Sequence, residues 1–349
     1  MKINLQAPIN QLGYGVAGLN ILKALQDKAE VSLFVIGQPQ VTNQADATAV
    51  RKGIEAASTF DPQAPCIKIW HQNQMAERIG SGKFIGFPIF ELDTFNSLEK
   101  HHLSACDELF VCSEWAKQVC LKNLTFSKDK IHVAPLGVDR GIFKECLPRT
   151  HSKTIFFNCG KWEIRKGHDV LIDAFKRVLK HDENVELWMM CNNPFNSPEE
   201  ENKWQNLYSH PNVKIIPRAE TQAEVYNIMS QVDCGVFPSR GEGWNLELLE
   251  MMSIGKHVIS TDYSAHTEFC TEDNCGLVTI KEVEPAVDGK WFFGQGNWAK
   301  VDEETISDLA SKMLNFIDTK KCTVNQAGLE TASKFSWENT ANKILDVLK

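Results

Sequence analysis

Apolar residues in this chain fall into two alternating patterns. Short uninterrupted runs recur at 3–8 (INLQAP), 31–37 (VSLFVIG), 66–70 (CIKIW), 84–90 (FIGFPIF), 108–113 (ELFVCS) and 131–135 (IHVAP). They return at 154–160 (TIFFNCG), 185–191 (VELWMMC), 213–217 (VKIIP), 231–237 (QVDCGVF) and 257–262 (HVISTD). Runs this short and this apolar predict strands buried on both faces, as in a parallel sheet. Between them lie stretches with apolar residues three and four apart, such as Leu19, Leu22 and Leu25, then 114–124, 170–180, 221–231, 303–318 and 335–349. That spacing places one apolar stripe on a helix. Ser197 and Ser336 stand where helix N-caps belong. The polar, Ala-rich stretch 41–65 reads as one helix with loops, and the Gly/Trp-rich stretch 284–302 as a loop. Alternating strands and helices predict an α/β class with parallel sheets. The pattern runs twice, with no solenoid-like repeat. A polar, proline-containing segment at 145–153 reads as a linker, giving domains at 1–146 and 147–334.

Composition narrows the class. The 349 residues exceed what one ordinary core holds, and 43% hydrophobic with 23% charged residues is ordinary globular composition. A net charge of −8 gives no global drive toward nucleic acid or anionic membrane. Eleven cysteines, with no CxxC pair, sit largely inside apolar runs and read as small core residues in a reducing compartment. No run is long enough to span a bilayer, and 1–10 lacks the apolar core of a signal peptide, so a soluble, cytoplasmic protein is expected.

Candidate chemistry comes next. Residues 13–18 match GxGxxG as a loop opening a helix, with Gly15 able to bring its backbone close to a ligand. The second strand ends Gly37-Gln38-Pro39 without the acid that a dinucleotide's ribose requires, which argues against a nicotinamide cofactor. His71 follows the strand at 66–70, at the C-terminal strand end where ligands collect in open α/β sheets, or is simply a hydrogen-bonded loop residue. Glu91 and Asp93, two apart on a loop, can bind hydroxyls or a divalent ion, or simply form a surface turn. Lys117, Lys122, Lys128 and Lys130 can touch anionic lipid or form a solvated face. The loop 160–167 carries Lys161, Arg165 and Lys166, three cations able to neutralise a diphosphate leaving group. In 238–259 (PSRGEGWNLELLEMMSIGKHVI), Gly241 and Gly243 permit close backbone approach and Asn245 can cap the following helix. The helix's free amides favour a diphosphate. Glu250, in its body, is placed for vicinal hydroxyls, while Glu242 on the loop points toward a second polyol. The competing reading of Glu247 and Glu250 is an exposed helix face.

The stretch 238–259 resembles the Glu-x7-Glu motif of retaining GT-B glycosyltransferases, in particular glycosyltransferase family 4 (group 1). The segment 131–143 resembles that family's end of its first domain, 156–175 its opening of the second, 13–18 its first-domain loop, and SWENTANKIL its C-terminal crossover helix. The resemblance implies a GT-B fold, two Rossmann-like domains facing across a cleft, with helix 335–349 completing the first. It implies a nucleotide-sugar donor, UDP- or GDP-linked, held mainly by the second domain, and a hydroxyl acceptor of unspecified class. It assigns ribose to Glu250, donor sugar to Glu242 and the backbone of Trp244, Asn245 and Leu246, with Gly243 beside them, and diphosphate to Lys166. Lys161 stands where many members carry arginine, which keeps the charge but loses the bidentate fork. His71 lies near the family's histidine beside the transferred sugar, and Glu91 and Asp93 fall on the acceptor side. No metal or other cofactor is implied. A phosphorylase or epimerase, a DNA-modifying glycosyltransferase and an inactive nucleotide-sugar-binding protein are the alternatives.

Overall fold

The computed structural model describes residues 1–150 and 152–349; His151, within the segment read as a linker, lies outside the described residues. The chain forms two compact units, residues 1–137 with 335–349, and residues 138–334.

The first unit contains β1 (Lys2–Ala7), α1 (Gly13–Gln26), β2 (Glu30–Val35), α2 (Gln44–Ala57), β3 (Cys66–Trp70), β4 (Phe84–Pro88), α3 (Ser97–Leu103), β5 (Glu108–Val111), α4 (Glu114–Asn123) and β6 (Ile131–Val133). Its six strands form one parallel sheet in the order β2-β1-β3-β4-β5-β6. Every residue of β4 and β5 is buried. That burial explains why these strands read as solid apolar runs.

The glycines at 13–18 are not a loop. They form the first turns of α1, which begins at Gly13. A Cβ on Gly15 would lie 2.3 Å from the Asn10 amide nitrogen, and one on Gly18 would lie 2.3 Å from the Pro8 carbonyl oxygen. These glycines let the helix lie directly on the chain leaving β1, and that close packing offsets their poor helix propensity.

The second unit contains β7 (Thr154–Gly160), α5 (His168–Leu179), β8 (Val185–Cys191), α6 (Pro198–Leu207), β9 (Val213–Ile215), α7 (Gln222–Ser230), β10 (Cys234–Phe237), α8 (Leu246–Ser253), β11 (His257–Thr261), β12 (Gly276–Val278), β13 (Val283–Val287), β14 (Phe293–Ala299), α9 (Glu303–Thr319) and α10 (Gln326–Lys334). Its parallel sheet runs β12-β11-β10-β7-β8-β9. Phe156, Leu187, Val236 and Ile259 from four of these strands pack with Leu171, Phe175, Met313 and Phe316 of α5 and α9. Ser197 caps α6 through a reciprocal capping box with Glu200, and Thr221 does the same for α7 with Glu224.

The stretch read as a loop at 284–302 is instead largely an antiparallel hairpin, β13 with β14. Its turn is held by the Asp288 carboxylate, which accepts from the amides of Lys290, Trp291 and Phe292 at 2.8–2.9 Å. Residues following the first unit are tied to the second: Ser253 Oγ donates to the Phe143 carbonyl at 2.9 Å, and the Cys146 amide donates to that of Ile254 at 3.1 Å.

The chain then returns to the first unit as α11 (Trp337–Leu348), capped by Ser336 as the sequence predicted. Thr340 Oγ1 donates to the Pro135 carbonyl at 2.6 Å, and Lys28 pairs with Glu338 at 3.0 Å.

Candidate active site

Strands β7 and β10 are neighbours, so the loops leaving their C-terminal ends, 161–167 and 238–245, lie side by side. They interlock through backbone. The Arg240 amide donates to the Arg165 carbonyl at 2.7 Å, Arg240 Nη1 to that of Ile164 at 2.6 Å, and Arg165 Nη1 to that of Gly241 at 2.8 Å. Asp169 on α5 receives the Arg240 fork at 2.7 and 2.8 Å. Gly167 sits at the junction with φ of +73°, and a Cβ there would lie 2.1 Å from the Pro238 carbonyl oxygen. Gly167→Ala is therefore expected to cost about 2–4 kcal/mol, combining a left-handed backbone penalty with a backbone collision. Urea unfolding checks it; a loss under about 0.5 kcal/mol, the ordinary surface range, would show that the loops part freely.

The charged side chains of the two loops form one cluster. Glu242 accepts from Lys166 at 2.8 Å, Arg165 at 3.0 Å and Ser239 Oγ at 2.8 Å. Glu163 accepts from Arg165 at 2.8 Å and pairs with Lys161 at 2.7 Å. Burial alone would push the Glu242 carboxyl up, but Lys166 and Arg165 outweigh it and hold it far below the usual carboxylate range. Burial would likewise discharge Lys166, and Glu242 with Glu247 reverses this, keeping it a cation. Lys161, Arg165 and Lys166 against Glu163 and Glu242 leave one net positive charge in the paired cluster, with Arg240 balanced by Asp169 and Glu247 standing outside it on α8.

This geometry bears on two of the candidate residues. Arg165 is 5% exposed and donates to Glu163, Glu242 and Gly241, so it braces the loop instead of offering its fork outward. Glu242 is 4% exposed, and its carboxylate turns into the cluster, not toward a free polyol. Lys161, with over a third of its side chain exposed, is the accessible cation.

Beside the cluster stands the N-terminus of α8. Asn245 caps it, accepting from the Leu248 amide at 3.1 Å with its backbone left-handed at φ 87°. Gly243 and Trp244 are buried and Leu246 half-buried. Glu250 is not on an exposed face: it is 7% exposed, and its carboxylate makes no hydrogen bond or ion pair among the described residues. Burial, with Glu247 one turn away, pushes its pKa well above the ordinary glutamate value.

The remaining sequence candidates lie in the first unit. His71 follows β3, exposed, with its ring 4.6 Å from Tyr14 and 4.8 Å from Trp70. The Tyr14 hydroxyl bonds Ile89 at the start of the loop bearing half-buried Glu91 and Asp93, and Asp93 accepts from Thr94 at 3.0 Å. The Tyr14 contacts bring the start of α1, the end of β3 and the exit of β4 together. Gly15 itself is buried against Asn10. The lysines at 117–130 are interleaved with acids: Lys117 and Lys128 share a groove of about 480 Å³ with Glu114, Asp129 and Asp346, and Lys130 pairs with Glu108. A mixed-sign surface of this kind is a solvated face.

Sequence reasoning missed the residues that brace 238–245. Thr261 Oγ1 donates to the Ser239 carbonyl at 2.5 Å, Ser264 Oγ accepts from the Glu242 amide at 2.8 Å, and His266 bonds the Asn245 amide group at 2.9 Å. Behind the other loop, His168 Nδ1 accepts from the Glu163 amide at 3.2 Å and Nε2 meets Asn158 Oδ1 at 2.9 Å. Burial, with Lys166 nearby, lowers His168 to about 3, so the ring is neutral. The available signal was position: 261–266 follows the end of β11, and sheet C-terminal ends collect site residues.

Among the described residues no group of three or more His, Cys, Asp or Glu side chains is arranged to hold a metal ion, and no helix is long and apolar enough to cross a membrane. Nine of the eleven cysteines are buried and none is in a disulfide.

Residues 153–288 match the glycosyl transferases group 1 family. An uncharacterized glycosyltransferase of Methanocaldococcus jannaschii is 27% identical over 214 residues, 57% of this chain and 48% of that protein. An MMP alpha-(1->4)-mannosyltransferase of Mycolicibacterium hassiacum is 25% identical over 195 residues, 54% of this chain and 46% of that protein. The chain spans about half the length of these curated relatives. Among solved structures, Anabaena HepE in complex with UDP and glucose superposes with a TM-score of 0.72 at 15% identity, covering 100% of this chain and 99% of that one. Residues 153–288 are thus similar to the glycosyl transferases group 1 family, in a chain with the GT-B fold.

Proposed function

We propose that the protein transfers a sugar from a nucleoside-diphosphate sugar to a hydroxyl acceptor with retention at the anomeric carbon. One observation carries the reading. A cluster with one net positive charge adjoins the capped N-terminus of α8, while a buried carboxyl without a partner, Glu250, waits one turn inside. That is the chemistry of a diphosphate attached to a diol. Lys161, Lys166 and the first amides of α8 stabilise the departing diphosphate, and Glu250 takes the ribose hydroxyls. The backbone of 243–246 lies along the donor sugar. The HepE complexes with UDP and with UDP-glucose support a nucleoside-diphosphate-linked donor, and the mannosyltransferase relative supports sugar transfer.

In this reading the acceptor oxygen attacks C1 on the face the diphosphate leaves. The C1–O bond to phosphate breaks as the new C1–O bond forms, and a donor phosphate oxygen takes the acceptor proton. Glu242, already engaged by Lys166, Arg165 and Ser239, serves charge balance and not nucleophilic attack. His71, Glu91 and Asp93 serve the acceptor side.

A thermal-shift series with UDP, GDP, ADP and their sugars tests the donor. The matching diphosphate at 100 times its Kd should add about 2.7 kcal/mol of stability. NMR of the product's anomeric proton tests retention. No shift with any nucleotide overturns the donor reading; an inverted product overturns the stereochemistry.

A further inference from the structure

We infer that His266 is a positioning residue that sets the N-cap of α8 according to its protonation, so that donor affinity falls in acid. The inference rests on the donor reading above. It begins with hydrogen-bond polarity. His266 Nδ1 lies 3.0 Å from the Thr261 carbonyl oxygen, which only accepts, so Nδ1 carries the proton. Nε2 of the neutral ring is then a lone pair, and it accepts from Asn245 Nδ2 at 2.9 Å. The other end of that amide, Oδ1, accepts from the Leu248 amide and closes the helix. The Asn245 side chain is therefore oriented from both ends. Its backbone is held at a positive φ that a residue other than glycine adopts at a cost, so the orientation has been built in.

A proton on Nε2 breaks this arrangement in either orientation. With the amide as found, Nε2–H faces an NH2 group. With the amide turned over, its oxygen satisfies the ring but its NH2 now faces the Leu248 amide, and the cap is lost. No turn of Asn245 serves both partners, so protonating His266 uncaps α8. His266 is fully buried, and its surroundings set the balance. Burial holds it below the ordinary histidine pKa; Glu242 and Asp262 favour the proton, and Lys166 opposes it. The ring is thus neutral at pH 7 and charges on the acid side, while Glu242 is still ionised. Ser264 and Thr261 hold Glu242 and Ser239 in the same loop but carry no titratable group. His266 alone among these three braces responds to pH.

The test measures UDP and GDP affinity from neutral to acid pH in the wild-type protein, His266→Gln and His266→Ala, with hydrogen exchange of the Leu248 amide followed in parallel. A glutamine amide offers one donor and one acceptor without titrating. The wild-type affinity should drop about fivefold across the His266 titration, the equivalent of one lost cap. The Gln variant should keep only the shallower pH dependence that the nucleotide's own phosphate and Glu250 impose on both proteins, and the Ala variant should bind about fivefold more weakly than the Gln variant throughout. Leu248 exchange should accelerate with the wild-type midpoint and stay flat in the Gln variant. An acid limb as deep in the Gln variant as in the wild type, or Leu248 protection that ignores the titration, overturns the inference. If neither nucleotide binds at any pH while Leu248 exchange follows His266, the donor reading has failed and the protonation-dependent cap stands.

Discussion

Replacing Glu242 by alanine is expected to cost about 3–5 kcal/mol of folding stability, because it leaves buried cations without their counter-charge. Arg165 would keep Glu163, on which Lys161 already draws, and Lys166 would lose its direct ion pair and keep only the nearby charge of Glu247. Surface screening does not soften the loss, since the Glu242 side chain is 6% exposed. On the proposed function, transfer should fall at least about a hundredfold, since Lys166 would no longer be held in place to meet the diphosphate. The pH dependence has a definite sign. Glu242 has a depressed pKa in the folded protein, so its contribution is complete above the ordinary glutamate value of about 4.3 and is lost as the pH falls toward the depressed value. Urea titrations of wild type and Glu242→Ala at neutral and acid pH check this. The two curves should converge in acid; equal stability at neutral pH would mean the cluster is not charge-compensated by Glu242.

Replacing Glu250 by glutamine should act in opposite directions on stability and on binding. The carboxyl is buried without a partner and faces Glu247, so its ionised form is unfavourable in the folded chain. A group with a raised folded pKa contributes stability that is full below its unfolded value and is lost as pH rises through the folded one. Glutamine has no proton to lose. The variant should gain about 0.5–2 kcal/mol at neutral pH, and its stability should no longer decline across that rise. On the proposed function, the donor's ribose hydroxyls favour the carboxylate that burial disfavours, so donor affinity should fall about 10-fold in the variant, which has no charge to offer them. Denaturant unfolding and calorimetric titration with the matching nucleoside diphosphate read the two effects. A variant that is less stable and binds normally would make Glu250 a structural residue.

Much of the sheet architecture was legible because burial on both faces writes itself as solid apolar runs. The strands at 66–70, 154–160 and 185–191 have the same bounds in sequence and structure. The β13–β14 hairpin was not legible. It rests on one carboxylate, Asp288, collecting three amides, while Val287 and Phe293 lie exposed on its paired strands and give no burial pattern. The glycines at 13–18 misled for a related reason: absence of a side chain marks close packing as readily as flexibility, and only the 2.3 Å approaches at Gly15 and Gly18 decide between them. At the candidate site, Lys166, Glu242 and Glu250 stood out through motif and position. The inward turn of Arg165 and the bracing by Thr261, Ser264 and His266 depend on three-dimensional pairing between segments distant in sequence. A reading of local pattern has no access to that.

The return of α11 to the first unit has a consequence for biogenesis. All six strands of that unit leave the ribosome before residue 138, yet the helix that lies against α1, with Thr340 bonded to Pro135 and Glu338 paired with Lys28, is made only after the whole of 138–334. At ordinary elongation rates of about 5–20 residues per second, that interval is roughly 10–40 s. The second unit is contiguous in sequence and can close while the nascent chain is still tethered. The first unit passes that interval with an uncovered flank, a window in which chaperone capture competes with self-association.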